Sequence, residues 1–131
     1  MIKEAYCSFE VSKLLKEKGF DAQCRAAYTD YGQLFTTQIQ QYITNIICSK
    51  SNLWKCIAPT HQMAMKWLRE EKNIFIVIEP HAYDYINEKN KSYVCSLWVG
   101  DNYYEYIESK DYPSYEDAVE AALKYCLENL I

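Results

Sequence analysis

Two histidines and six cysteines are the residues of this chain whose side chains could do chemistry near neutral pH. His61 lies in "CIAPTHQMAMKWLREEKNIFIVIEP", residues 56–80, and His81 follows directly. A neutral imidazole can take a proton or bind a metal, and a thiolate can attack or ligate. Each role needs partners. A base needs a group to orient it and a nucleophile to activate, but the chain has no G-x-S-x-G elbow, Walker loop, dinucleotide fingerprint or H-E-x-x-H. Structural zinc usually draws on a Cys-x-x-Cys pair, because two ligands from one tight turn reduce the entropy lost in assembling the tetrahedron, and there is no such pair. Cys48, Cys56, His61 and His81 are the only metal quartet that spacing suggests. The expectation is no metal, no cofactor and no catalytic residue, with His61 starting a helix. A small enzyme using His61 or His81 in a pocket, beside a carboxylate or thiol, is the alternative.

The elements that would position these groups fit one domain. A chain of 131 residues can bury a single core, and 50% hydrophobic with 24% charged residues is the composition of a folding chain. Residues 1–131 are therefore read as one α+β domain with a mainly antiparallel sheet, including a meander, and helices packed against it. The longest aliphatic-aromatic run, "IFIVI" at residues 74–78, is too short to span a membrane. The start, "MIKEAYCSFEVSKLL", lacks a secretory pattern, so a cytoplasmic location is expected, with the six cysteines free and buried as small hydrophobes.

Ser8 caps a first helix in "CSFEVSKLLKEKGF", where Val11, Leu14 and Leu15 share a face; Gly19 stops it and places Phe20 against Leu15. "CRAAYTDYGQLFTT" reads as a hairpin turning near Asp30 and Gly32. "QIQQYITNIICSKSN" places Ile39, Tyr42, Ile43, Ile46 and Ile47 at helical spacing, followed by a short strand, "LWKCI". Pro59 and Thr60 open the helix that carries His61, with Pro59 in its first turn and Met63, Ala64, Trp67 and Leu68 inward. "NIFIVI", apolar on both faces, reads as a central strand. Residues 81–109 read as three antiparallel runs broken at "NEKNK" and "VGDN"; Tyr83 and Tyr85 share one face, Tyr93, Cys95, Leu97 and Val99 another, and Tyr104 and Tyr106 lie on the third run. "SYEDAVEAALKYCLENLI" is a capped helix with Tyr115, Ala118, Val119, Ala122, Cys126 and Leu130 inward and a Glu120–Lys124 pair on its surface.

Thirteen tyrosines are the compositional excess. A tyrosine joins a rigid apolar ring to a hydrogen-bonding tip, which suits both core filling and recognition. Trp98, Tyr103, Tyr104 and Tyr106 are the candidate binding residues. A net charge of −4 and the neighbouring Asp101, Glu105 and Glu108, against a lone Lys110, disfavour phosphate. The expected partner is thus a protein, or a second copy of this chain, with a nucleic-acid-binding accessory role through exposed tyrosines as a further alternative and no membrane contact.

The motifs "APTHQMAMKWLRE" and "SYEDAVEAALKYCLENLI" resemble small uncharacterised proteins encoded by phages and prophage-like elements of gut Bacteroidales. The likeness implies a compact accessory protein made inside a bacterial cell and assigns no residue a role. Together these readings give the expected function: a non-enzymatic, intracellular protein-interaction module of a phage or mobile element.

Overall fold

The computed structural model describes residues 2–36, 41–81, 92–105 and 107–131. The first helix, α1 (Phe9–Glu17), starts where Ser8 Oγ accepts the Val11 N–H at 3.1 Å. It ends in a Schellman motif: Gly19, at φ +92°, donates to Lys16, and Phe20 donates to the Leu15 carbonyl at 2.9 Å. Phe20 is thereby turned into the core with Val11 and Leu15.

Strands β1 (Ala27–Thr29), β2 (Leu34–Phe35) and β3 (Trp54–Ile57) form a small antiparallel sheet ordered β2-β1-β3, its hairpin turning through Gly32. Between β2 and β3 lies α2 (Asn45–Ser49), capped by Thr44. The helix expected over residues 38–48 is therefore corrected, among the described residues, to this one short helix, and residues 38–40 lie outside them. Ile43 is not part of it; it exchanges both backbone bonds with Cys24 and is buried, whereas Ile46 and Ile47 are exposed. The periodic isoleucines misled because Asn45 occupies the buried position: its side chain donates to the Phe20 carbonyl at 2.6 Å and accepts the Ile57 N–H at 2.9 Å. Ile39 lies outside the described residues.

Helix α3 (His61–Lys72) is capped by Thr60, whose hydroxyl accepts the Met63 N–H. Pro59 stands before that cap rather than in the first turn, and its carbonyl accepts from Cys7. Ala64, Met65 and Leu68 are the buried apolar positions, with Met63 and Trp67 only partly covered.

Asn73, in the left-handed conformation, turns the chain into β4 (Ile74–His81), which pairs with β5 (Ser92–Val99); β5 pairs in turn with β6 (Asn102–Tyr104). Among the described residues β4, β5 and β6 form an antiparallel meander, and the first expected run, around Tyr83 and Tyr85, falls outside them. Tyr83, Tyr85 and Tyr106 lie outside the described residues. The central placement of "IFIVI" is also corrected: the sheet order is β4-β5-β6, so among the described residues β4 is an edge. Its inner face, Ile74, Ile76 and Ile78, meets the core, while its outer face stays apolar without full cover.

The ladder phase follows from one bond. Gly100 donates to Asn73, and the register makes these residues opposite neighbours, so odd-numbered β4 residues bond to β5 and Ile76, Ile78 and Pro80 aim their backbone outward. Pro80 thus sits where its missing N–H removes no ladder bond.

Helix α4 (Tyr115–Asn129), capped by Ser114, closes the core with Ala118, Val119, Ala122, Leu123, Cys126 and Leu127 fully buried. Tyr115 is exposed, Leu130 packs against the core partly buried, and Leu123 and Leu127 are further inward positions that the expected stripe lacked. Among the described residues the fold is α+β, with four α-helices and two three-stranded antiparallel sheets.

Candidate functional site

His61 begins α3, as its place after Pro59 and Thr60 implies, but it is also largely buried, at 6% exposure. The N-terminal segment holds it there. Tyr6 bridges Thr60, Cys7 donates to Pro59 at 2.8 Å, and the His61 N–H donates to Ala5 at 2.9 Å. The same pairing sets Cys7 beside the cap of α3, with its Sγ 3.8 Å from the Thr60 carbonyl. The Cys7 carbonyl accepts from the Tyr28 hydroxyl at 2.6 Å, which ties this junction to the small sheet.

The third member comes from α4. Glu120 does not pair with Lys124, which reaches Glu10 at 3.0 Å instead. Its Oε1 points inward and accepts from His61 Nε2 and from the Ser8 N–H, both at 2.8 Å. The carboxylate therefore serves the amino end of α1, where backbone N–H groups lack helical partners and negative charge is favoured. Burial pushes the Glu120 carboxyl up, and the bonds from His61 and Ser8 outweigh it, so Glu120 titrates below the ordinary carboxylate value. Cys7 moves the other way: burial first, then the charges of Glu120 and Cys24, raise its thiol far above the usual range. Tyr28 is pushed up to about 12 by burial and then by the charges of Glu120, Cys7 and Cys56.

Potential ligand atoms of Cys7, His61 and Glu120 all lie within 4.8 Å of one another, the one such cluster of three or more among the described residues. The quartet suggested by spacing is thus not assembled. Cys48 and Cys56 are buried elsewhere as free thiols, and His81 pairs through Nδ1 with Asp111 at 2.9 Å on a half-buried surface. All six cysteines are free and buried, as composition suggested.

A cavity of about 200 Å³ adjoins the cluster, with His61, Gln62, Lys3, Glu4, Tyr115 and Glu116 in its wall. This is the pocket-plus-carboxylate arrangement that the enzyme alternative required of His61. Its weakness is the thiol: Cys7 is fully buried, absent from the cavity wall and held protonated, so it is no ready nucleophile. Glu120 could have been noticed only as an acidic residue one turn inside the last helix; its partner is 59 positions away.

The aromatic candidates lie on the other sheet. Phe75, Trp98 and Tyr103 are opposite neighbours across β4, β5 and β6 and form one cross-strand row, exposed by 42%, 43% and 44%. The Trp98 and Tyr103 ring centres stand 4.9 Å apart. Tyr104 is half exposed on the opposite face of the edge. Further along the outer face Val94 and Ser96 are buried, so the open part is confined to the aromatic end. Phe75 was missed because the central-strand reading covered it. No helix among the described residues is long and apolar enough to cross a membrane. No protein-family model, no curated protein and no solved structure matches the chain.

Proposed function

We propose that this chain is a non-enzymatic protein-interaction module that acts in the cytoplasm and docks through the outer face of β4-β5-β6. The observation that carries this reading is the row Phe75–Trp98–Tyr103, three large aromatics held side by side on paired strands and each more than two-fifths exposed. Aromatic side chains lose little entropy when immobilised and supply most of the energy at interface centres. The neighbouring Asp101, Glu105 and Glu108 favour a protein partner over nucleic acid, whose phosphates need a basic groove beside the stacking rings.

The edge of β4 adds a template to the same sheet. The N–H groups of Ile76 and Ile78 have no backbone partner among the described residues, and they alternate with carbonyls that point the same way. A second copy laid antiparallel across this edge, with its two-fold axis at Val77, would pair Ile76 with the partner's Ile78 and satisfy both chains equally. The likeness to phage and prophage proteins suggests a host or phage protein as the other class of partner.

The test is an affinity pull-down from bacterial lysate, with and without nuclease, together with sedimentation of the purified chain. Loss of the partner or dimer on Trp98→Ala and Tyr103→Ala, with the fold intact, supports the reading. Binding that these variants leave untouched, or recovery of nucleic acid with strongly salt-dependent affinity, defeats it.

A further inference from the structure

We propose that Cys7, His61 and Glu120 form a binding site for one divalent transition-metal ion of the zinc class. This inference is independent of the interaction surface, because the cluster lies at the junction of the N-terminal segment, α3 and α4 rather than on the exposed sheet.

The donor set is the first argument. Thiolate, imidazole and carboxylate are zinc's three protein donors, whereas magnesium and calcium select oxygen alone. Tetrahedral bonds of roughly 2.0–2.3 Å put neighbouring donors about 3.3–3.8 Å apart. The three donor atoms lie within 4.8 Å of one another, and His61 Nε2 stands 2.8 Å from Glu120 Oε1. Drawing Cys7 inward and parting the imidazole from the carboxylate are side-chain adjustments; no element has to move.

Charge is the second. Cys7 is fully buried and Glu120 largely so, and together they bring two groups that can carry negative charge to one place. A dication bound by thiolate, carboxylate and neutral imidazole leaves the set with no net charge, so no uncompensated charge is left in the buried place. The proton balance is simple. Binding releases the Cys7 proton to solvent, and the imidazole proton now on Nε2 moves through solvent to Nδ1, which frees Nε2 to bind the metal. Nδ1 has no protein partner among the described residues, and none of their buried side-chain polar atoms is left unpaired, so it reaches water beside the cavity that His61 lines. Three protein ligands leave the fourth position to water, the pattern of an accessible rather than a sealed zinc site.

The experiment uses the full chain, purified under reducing conditions, freed of metal by chelation and titrated with Co²⁺. One equivalent should bind, with tetrahedral visible bands and a thiolate-to-cobalt charge-transfer band in the near ultraviolet. Zn²⁺ should then bleach the bands and raise the melting temperature. Cys7→Ser should remove the charge-transfer band while Cys95→Ser keeps it. Glu120→Gln, which can still hydrogen-bond, should keep the band but weaken binding by more than about tenfold. Failure of the native chain to bind either ion overturns the proposal, as does a charge-transfer band that survives Cys7→Ser. Should Cys7→Ser not fold, His61→Gln decides: unchanged Co²⁺ affinity in that variant also overturns it.

Discussion

The junction of α1, α3 and α4 and the outer face of β4-β5-β6 invert the usual arrangement of side chains in opposite ways. At the junction a carboxylate, an imidazole and a thiol are taken out of water; on the sheet three aromatic rings are left in it. The junction is worked out to the last hydrogen bond: Glu120 answers both His61 and the open end of α1, and no buried side-chain polar atom among the described residues lacks a partner. The aromatic row makes one ring contact among the described residues, Trp98 on Tyr103, and otherwise leaves its rings more than two-fifths exposed. A polar cluster that binds three elements is explained by the fold it holds, whereas uncovered rings on rigid strands are explained only by something outside it. Mutations should separate the two, costing stability at one and binding at the other.

The largest effect is expected from Glu120→Ala. It removes the acceptor of both His61 Nε2 and the Ser8 N–H and leaves them in a site too tight for full rehydration, which should cost about 3 kcal/mol. Urea unfolding measures this, and a loss below about 1 kcal/mol would show that the junction is not the clasp described. Asn45→Ala comes next. It leaves the Phe20 carbonyl and the Ile57 N–H without partners behind α2, and the expected cost is about 2 kcal/mol in the same assay.

These two residues also show what a sequence can and cannot disclose. The caps at Ser8, Thr60 and Ser114, and the Gly19–Phe20 stop, were legible because each is a bond between residues at most five positions apart. The meander and its core face were legible because alternation with period two is local as well. Glu120 and Asn45 were not. Their partners lie 59 and 12 positions away or more, and at each the polar residue breaks the pattern that a helix face would predict. The edge position of β4 was hidden for a related reason: apolar residues on both faces mark a strand covered twice, and here the second cover is absent from the chain's described residues. Where the reading failed, it failed at the residues that now carry the candidate site and the candidate surface.

The junction also sets the acid limit of stability. Glu120 titrates below its ordinary value of 4.5 in the fold, so its stabilisation is whole above that value and is lost as pH falls through it and below. Unfolding free energy should therefore drop on acidification below about pH 4.5, and the drop should be shallower in Glu120→Gln, which has no charge to lose. The alkaline limit has the opposite sign. Burial raises Cys24, Cys56 and Cys95 from 9.0 to about 11 and Cys126 to about 12, so the fold favours their protonated forms. Stability should be whole below pH 9 and fall from there upward as the unfolded chain ionises first. Parallel acid limbs in the native chain and Glu120→Gln would remove the carboxylate from its assigned role.

The smallest effect on folding is expected where the largest effect on binding is. Trp98 and Tyr103 already stand more than two-fifths exposed. Each alanine variant forfeits the contact between their two rings and part of the strand propensity, together about 0.5–1 kcal/mol. Phe75→Ala should cost a similar amount, since Phe75 faces the same open side at the edge of the sheet. Against that small change in unfolding free energy, partner capture or dimerisation should fall by tenfold or more, because truncating a central aromatic anchor commonly costs about 2 kcal/mol of binding. The informative result is the ratio. Variants that lose several kcal/mol of stability would mean that the row is core covered by part of this chain, and the contrast between the two regions would collapse. Variants that fold normally and lose their partner would place the exposed rings outside the economy of the fold and inside that of an interface.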